Sequence, residues 1–311
     1  MTTYAGWTTG MISNYLEDRL VNFTLRGTYY PSGSSVWLAL FTTSPWESGS
    51  GIEVSQRATG NYSRKAVING FTVTNGEAYN KANIAFPTTS ASWGTITHIG
   101  IMSASQASAS TCLLFYGEMA EPQTVSTANM EVLVPTGELR VALGEGGTSI
   151  PRTTIPNSQW AYPFCNTLLD NLLNGAPYSG TLSSVYIGLY ITMPDKFDLG
   201  GIEVSALNYT RKRVSAGTGN GWATTTNGST CNINLVPFIT KSAYHWGTVE
   251  GLCIRSALTG GMLLYRGYLN HPITITYGDT FSISASAIQV YIDTPGILYD
   301  NNVDPPFSPT S

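Results

Sequence analysis

The segment GIEVSQRATGNYSRK, residues 51–65, has a second version in the same chain, GIEVSALNYTRK, at residues 201–212. No common turn, helix cap or strand signal requires Glu-Val-Ser followed by Asn-Tyr-Ser/Thr-Arg-Lys. Self-similarity of this kind is the signature of a repeated structural unit. The first question is therefore whether the whole chain is doubled.

The similarity between the two parts extends in both directions from this stretch and keeps its order. The matching segments are LVNFTLRG 20–27 with LLDNLLNG 168–175, VWLALF 36–41 with VYIGLY 185–190, WGT 93–95 with WGT 246–248, LLFYG 113–117 with LLYRG 263–267, and GELRVAL 137–143 with SAIQVYI 286–292. Insertions between the segments are the size of loops. The sequence therefore predicts a tandem duplication of one domain.

The chain of 311 residues is long enough for two domains of roughly 150 residues each. We predict a first repeat over residues 1–146 and a second over residues 159–293. A glycine-, proline- and threonine-rich linker, 147–158, joins them. The proline-rich residues 294–311 have no periodicity and are predicted to form an extended C-terminal arm.

Each repeat opens with a helical pattern and continues with strand patterns. Gly27 and Gly175 follow the two helical stretches at positions typical of helix C-caps. The alternating runs that come next, with a turn signal at Asn75-Gly76, are typical of short antiparallel strands. The predicted fold is mainly β: two tandem homologous β-sandwich domains, each with one short N-terminal helix. WATTTNGSTCNINLVPF replaces FTVTNGEAYNKANIAFP in the second repeat, so its middle strands are expected to differ.

The composition favours a protein that lives in an assembly. Charged residues make up only 11 % of the chain, against roughly 25 % in ordinary soluble domains, and a surface poor in charge is weakly protected against association. The net charge is −4 and there is no basic run, which argues against nucleic acid as a partner. The N-terminus lacks a signal-peptide pattern and no apolar run approaches the ~18 residues of a membrane span, so no membrane partner is expected.

No catalytic or metal-binding motif stands out. His98, His245 and His271 do not match between the repeats, and no nucleophile or carboxylate motif surrounds them. The cysteines have no metal-ligand spacing. We therefore expect no enzyme activity, no catalytic residues, no metal and no cofactor.

The charged and aromatic residues of the repeated motif are the most informative side chains. They are Glu53, Tyr62, Arg64 and Trp93 in the first repeat, and Glu203, Tyr209, Arg211 and Trp246 in the second. A carboxylate and a guanidinium repeated in a charge-poor chain favour an internal ion pair; a subunit interface or a ligand site are the alternatives. The two tryptophans are interpreted as core anchors, with a sugar-stacking platform as the alternative.

The remaining tryptophans are not shared by the two repeats. They are Trp7, Trp37, Trp46, Trp160 and Trp222. Because tryptophan is enriched at protein interfaces, we expect these side chains to favour subunit contacts.

These motifs resemble a small β-rich family of tailed bacteriophages, the phage tail-fibre-like or minor virion structural proteins. The resemblance covers nearly all of both repeats and is carried by GIEVS, NY[ST]RK and WGT. It implies a structural part of a virion and brings no catalytic residues with it.

The expected function is that of a non-enzymatic virion protein, associated with the tail or a fibre. Capsid decoration and carbohydrate binding as a host-receptor module are the alternatives. The expected partners are other virion proteins and further copies of the chain, with a host-surface glycan left open. A trimer is one such arrangement, because three two-repeat chains would form a ring of six similar domains.

Overall fold

The computed structural model describes residues 2–3, 7–28, 36–54, 61–106, 112–143, 159–176, 182, 184–216, 221–225, 228–239 and 244–292. The predicted linker, 147–158, and the predicted C-terminal arm, 294–311, lie outside these residues.

One helix opens each repeat, as the sequence predicts. Helix α1 is Asn14–Arg26 and helix α2 is Tyr162–Asn174. The hydroxyl of Ser13 accepts a hydrogen bond from the backbone N–H of Leu16 and so caps the start of α1. Gly27 (φ 65°) and Gly175 (φ 67°) follow the two helices in the left-handed conformation that ends a helix. Within the described residues, neither helix is long and apolar enough to cross a membrane.

The strands of the first repeat form one larger sheet and two smaller ones. They are β1 Thr2–Thr3, β2 Trp7–Ile12, β3 Trp37–Phe41, β4 Lys65–Ala66, β5 Phe71–Thr74, β6 Glu77–Asn80, β7 Ile84–Ala85, β8 Gly94–Met102, β9 Leu113–Val125, β10 Val132–Val134 and β11 Arg140–Ala142. The larger sheet has the antiparallel order β2-β9-β8-β3-β4. The smaller sheets have the orders β1-β10-β7 and β11-β6-β5.

The second repeat reproduces this arrangement. Its strands are β12 Gln159–Trp160, β13 Ser184–Thr192, β14 Ile202–Glu203, β15 Lys212–Ser215, β16 Ser229–Cys231, β17 Val236–Ile239, β18 Gly247–Arg255, β19 Leu263–Ile275, β20 Phe281–Ile283 and β21 Gln289–Tyr291. The larger sheet has the order β12-β19-β18-β13-β14, and β15 also pairs with β13. Two further pairs are β16-β21 and β17-β20. The prediction of a mainly β chain with two similar halves, each opened by a short helix, is confirmed.

The second repeat differs from the first where the sequence predicts a difference. The first repeat has the β5–β6 hairpin, in which Phe71 pairs with Asn80. At the same place in the second repeat, a single bridge joins Trp222 to Asn232. The large Trp222 ring is fully buried there, and Trp160 is also buried, so the expectation that these two tryptophans serve subunit contacts is wrong. Trp46, in contrast, is 66 % exposed.

The chain forms two compact units, and these differ from the sequence repeats in their helices. The first unit comprises Met1–Glu17, Pro31–Gly146 and Asn166–Tyr178; the second comprises Asp18–Tyr30, Gly147–Cys165 and Ser179–Ser311. Most of α2 thus belongs to the unit formed by the first repeat, and most of α1 to the unit formed by the second. The boundaries 1–146 and 159–293 remain predictions about the repeats as sequence units.

Candidate functional site: a repeated carboxylate–guanidinium cluster

The edge of strand β3 positions the first cluster. Glu53 forms an isolated bridge with Phe41, the last residue of β3. Arg64 immediately precedes β4, which pairs with the first half of β3. The strand thereby brings together two side chains that lie eleven residues apart in sequence.

Glu53 and Arg64 form a buried bidentate ion pair. Arg64 Nε donates to Glu53 Oε1 at 2.8 Å and Arg64 Nη2 to Oε2 at 2.6 Å. The Tyr62 hydroxyl donates to the same Oε1 at 3.1 Å and accepts the Leu40 backbone N–H at 2.9 Å. Arg64 Nη1 donates to the Ala104 carbonyl. The Arg64 and Glu53 side chains are only 3 % and 4 % exposed, so these bonds replace the water that both charges give up.

The second repeat rebuilds the cluster with the corresponding residues. Arg211 Nε and Nη2 donate to the two oxygens of Glu203 at 2.9 and 2.7 Å. The Tyr209 hydroxyl donates to Glu203 Oε1 at 2.8 Å and accepts the Leu189 N–H. Here the Glu203 side chain is 22 % exposed, so the second pair is less completely removed from water than the first.

The second cluster has an extension that the first lacks. Arg255 donates to both oxygens of Asp198 and, through Nε, to the Tyr190 hydroxyl at 2.7 Å. Tyr190 in turn donates to Glu203 Oε2 at 3.3 Å. The first repeat has Phe41 and Met102 at the positions of Tyr190 and Arg255, and both pack in an apolar cluster.

The electrostatics of the clusters suit fixed hydrogen bonding. Burial, and then the nearby Glu53 charge, raise the pKa of the Tyr62 hydroxyl; burial is also the main cause that raises the pKa of Tyr209. Burial raises the pKa of Tyr190 to about 12. Burial opposes the charge of Glu203, but hydrogen bonds from Arg211 and Tyr209 outweigh it and leave its pKa below the ordinary value. At neutral pH the tyrosines therefore remain donors and Glu203 remains a charged acceptor.

The repeated tryptophans lie behind the tyrosines of the two clusters. Trp93 meets Tyr62 edge to face at 5.3 Å between ring centroids, and Trp246 meets Tyr209 at 5.4 Å. Both indoles are buried, with 1 % and 3 % exposure. A buried ring offers no open face for a sugar, so the geometry supports the core-anchor interpretation over the stacking platform.

Each tyrosine also stacks on a phenylalanine that lies outside the predicted motif. Phe86 lies 6.2 Å from Tyr62, and Phe238 lies 6.3 Å from Tyr209, measured between ring centroids. The signal was present in the sequence, because each phenylalanine precedes its tryptophan by a similar distance in the two repeats.

A pair of buried asparagines was likewise missed. Asn80 donates through Nδ2 to the carbonyls of Ala82 and Pro135, and its Oδ1 accepts the Leu139 N–H. Asn232 makes the same three kinds of bond, to the carbonyls of Asn234 and Ser284 and from the Ile288 N–H. Their exposures are 1 % and 0 %. Asparagine is common in loops, so sequence spacing alone gave it no weight.

The histidines do not join either cluster. His98 Nδ1 lies 2.8 Å from Thr97 Oγ1, and burial lowers the pKa of its ring despite the opposing Glu118 charge. His245 and His271 are exposed. In the described part of the chain, no three histidine, cysteine or acidic side chains are grouped so that they could hold a metal ion.

Comparison with known proteins identifies the family. A comparison with curated proteins finds no match. The family model described as "Podophage GP4 fiber I protein gp80" matches residues 11–142 and again residues 160–291. The match confirms the resemblance to phage fibre proteins in two tandem copies, and a fibre protein is a structural component of the virion. The chain therefore belongs to the podophage GP4 fiber I protein gp80 family and carries two tandem copies of its domain.

Proposed function

We propose that the chain is a non-enzymatic, tail-fibre-associated building block of the virion that assembles through contacts between copies of itself and with other virion proteins. The charged clusters support a structural role because their hydrogen-bonding atoms are occupied by one another and by backbone carbonyls. A carboxylate held between a guanidinium and a tyrosine hydroxyl is ion-paired and fixed in place. A general base, in contrast, needs a carboxylate that is free to take up a proton from the substrate.

The observation that carries the assembly proposal is the set of exposed apolar side chains in the second unit. Leu207 is 84 % exposed, Leu199 64 %, Ile202 56 % and Leu258 47 %. We call these four residues the apolar loop patch. Single exposed leucines are ordinary, but three exposed leucines on loops together with Ile202 on the short strand β14 of a charge-poor protein are typical of a protein interface.

The second cluster holds the loops of this patch in place. Ile202 precedes Glu203, and Leu199 follows Asp198, the partner of Arg255. Arg211 Nη1 donates to the carbonyls of Ala257 and Gly260, which flank Leu258. The network thus fixes loops that would otherwise lose conformational entropy on binding, and this preorganisation favours association.

Among the alternatives, membership of a fibre family favours the fibre over capsid decoration. A host-glycan site is not proposed, since the indoles that both repeats share are buried. The expected assembly is a homo-oligomer, and a trimer would give six similar domains around one axis.

Size-exclusion chromatography with light scattering tests the assembly proposal. We expect the wild-type protein to be oligomeric, and the double variant Leu207→Ser, Leu258→Ser to dissociate at a concentration at least tenfold higher. Tyr277→Ser is the matched control. Tyr277 is 69 % exposed but follows β19 at the end paired with Gly247, the opposite end from Leu258. A wild-type monomer at high concentration, or a double variant with unchanged mass, would contradict the proposal.

A further inference from the structure

The two helices make the same hydrogen bond, each to a turn of the other repeat. In the second unit, Asp18 Oδ1 of α1 accepts the Gly228 backbone N–H at 2.9 Å. In the first unit, Asn166 Oδ1 of α2 accepts the Gly76 N–H at 2.7 Å. Asp18 and Asn166 occupy the same helical position, and Gly76 and Gly228 are both turn glycines with positive φ. The helix exchange is therefore reciprocal and uses equivalent sites.

Further contacts hold each helix in the unit of the other repeat. Asn22 of α1 donates to Thr225 Oγ1 at 2.7 Å. Asn174 of α2 donates to the Phe71 carbonyl and accepts the Phe71 N–H. The Leu173 carbonyl accepts the Asn69 N–H. Each helix thus satisfies polar groups of the other repeat.

A hydrogen bond between two buried hydroxyls distinguishes the site of α1 from the site of α2. The Thr24 hydroxyl of α1 lies 2.8 Å from the Tyr265 hydroxyl, and Tyr265 is 1 % exposed. Thr24 Oγ1 also donates to the Val21 carbonyl, so the tyrosine is the donor of the pair. In the aligned sequences, Leu172 replaces Thr24 and Phe115 replaces Tyr265. The hydroxyls occur together in one unit, and the other unit has apolar residues at both positions.

This pattern disfavours pairing between like repeats. If α2 occupied the second unit, Leu172 would face Tyr265 and leave a buried hydroxyl without its acceptor. If α1 occupied the first unit, Thr24 would face Phe115 instead of a hydroxyl. An unsatisfied buried hydroxyl weakens association by about tenfold or more. Specificity that arises from a penalty on the wrong partner is common at protein interfaces.

We propose that the two different repeats of the chain bind each other by exchanging helices. The Thr24–Tyr265 hydroxyl pair then makes the first repeat bind the second repeat in preference to another copy of itself. The tandem chain is then a covalently joined heterodimer of its own repeats. The joining segment raises the effective concentration of each helix at its site without adding a contact.

Cutting the full chain tests the proposal. A protease site is inserted between residues 147 and 158, the folded protein is cleaved, and the product is diluted and compared with uncut protein by size-exclusion chromatography and circular dichroism. We expect the halves to remain together as a 1:1 complex, and to lose structure if they are forced apart. Two separate, folded, monomeric halves would overturn the proposal.

A double-mutant cycle distinguishes helix exchange from an ordinary contact between halves. In the cleaved protein, Thr24→Val should raise the dissociation constant about tenfold, because it leaves the Tyr265 hydroxyl unpaired. Adding Tyr265→Phe should recover most of the loss, and Thr24→Ser should retain wild-type affinity. Purely additive effects of the two substitutions would contradict the role of the hydroxyl pair.

The selectivity has a separate test. The cleaved halves are denatured together, refolded and examined by native mass spectrometry. We expect complexes that contain one first half and one second half. Refolding into a statistical mixture of like and unlike pairs would show that the hydroxyl pair does not select the partner.

Discussion

At the scale of single residues, the same glutamate–arginine pair is buried to different depths in the two repeats. The Glu53–Arg64 pair is almost completely buried, and the Glu203–Arg211 pair is partly exposed. Removing charges from water is costly, and removing one partner leaves the other without compensation. The two clusters therefore allow the same ion pair to be compared at two degrees of burial within one chain.

The first prediction compares the two carboxylates. Glu53→Gln is expected to lower the free energy of unfolding by about 3–5 kcal/mol, because it leaves the Arg64 charge buried and unpaired. Glu203→Gln is its matched control and should cost clearly less, since Glu203 is 22 % exposed and water can reach its partner's site. Urea denaturation measures both values. Equal losses would contradict the role assigned to burial.

The second prediction concerns the buried asparagines. Asn80→Ala should lower the free energy of unfolding by about 3 kcal/mol, because two backbone carbonyls and one N–H lose their partner inside the protein. Asn232→Ala should behave in the same way. Asn83→Ala is the control: Asn83 is exposed and accepts hydrogen bonds from Thr136, so it should cost less than about 1 kcal/mol. Thermal unfolding that ranks Asn83 with Asn80 would refute this account.

The third prediction is a pH dependence. The folded-state pKa of Glu203 lies below its ordinary value of 4.5, so the unfolded chain takes up a proton first as the pH falls. The stabilisation from Glu203 is fully present above pH 4.5 and is lost as the pH falls through the lower folded-state pKa. The difference in stability between wild type and Glu203→Gln should therefore shrink below pH 4.5. A difference that stays constant down to pH 3 would rule out this linkage.

At the scale of elements, the β3–β8 pair of the first repeat and the β13–β18 pair of the second each place a glycine opposite a small residue. Ala39 of β3 pairs with Gly100 of β8, and Gly188 of β13 pairs with Cys253 of β18. Each pair has one glycine, on opposite strands. A Cβ at Gly188 would lie 2.8 Å from Glu203 Oε1, and a Cβ at Gly100 would lie 2.8 Å from both Leu113 and Phe41 side-chain atoms. A side chain at either glycine would therefore collide with side chains that pack closely over it.

The fourth prediction follows from this close approach. Gly188→Ala should destabilise the second unit by about 1–3 kcal/mol, because the added methyl group displaces the Glu203 carboxylate from its hydrogen bonds. Hydrogen exchange should show faster opening around β13 and β14 in the Gly188 variant. Unchanged exchange there would contradict the packing argument.

The sequence predicted the elements better than their partners. Helical spacing and the terminal glycines located both helices, and the repeated motif located residues that the structure brings together at β3 and β13. The exchange of helices was not predictable, because an amphipathic pattern shows which face is buried and not which sheet buries it. Trp222 was misinterpreted although the alignment of WATTTNG with FTVTNG places it opposite Phe71, because an unmatched tryptophan was interpreted as an interface residue.

At the scale of the whole molecule, duplication gives one chain two similar units whose surfaces have diverged. The second unit has the apolar loop patch and the Asp198–Arg255 extension, and the first repeat has Phe41 and Met102 at the positions of Tyr190 and Arg255. Such a divergence suits a fibre, in which each subunit must be stable by itself and adhesive at defined places.

The most direct test of the central claim is a cryo-electron microscopy reconstruction of the native phage particle in which this chain is located by its density. We predict density in a fibre, with the apolar loop patch of Leu199, Ile202, Leu207 and Leu258 covered by a neighbouring subunit. Density on the head lattice, or a fibre in which these four side chains face solvent, would contradict it.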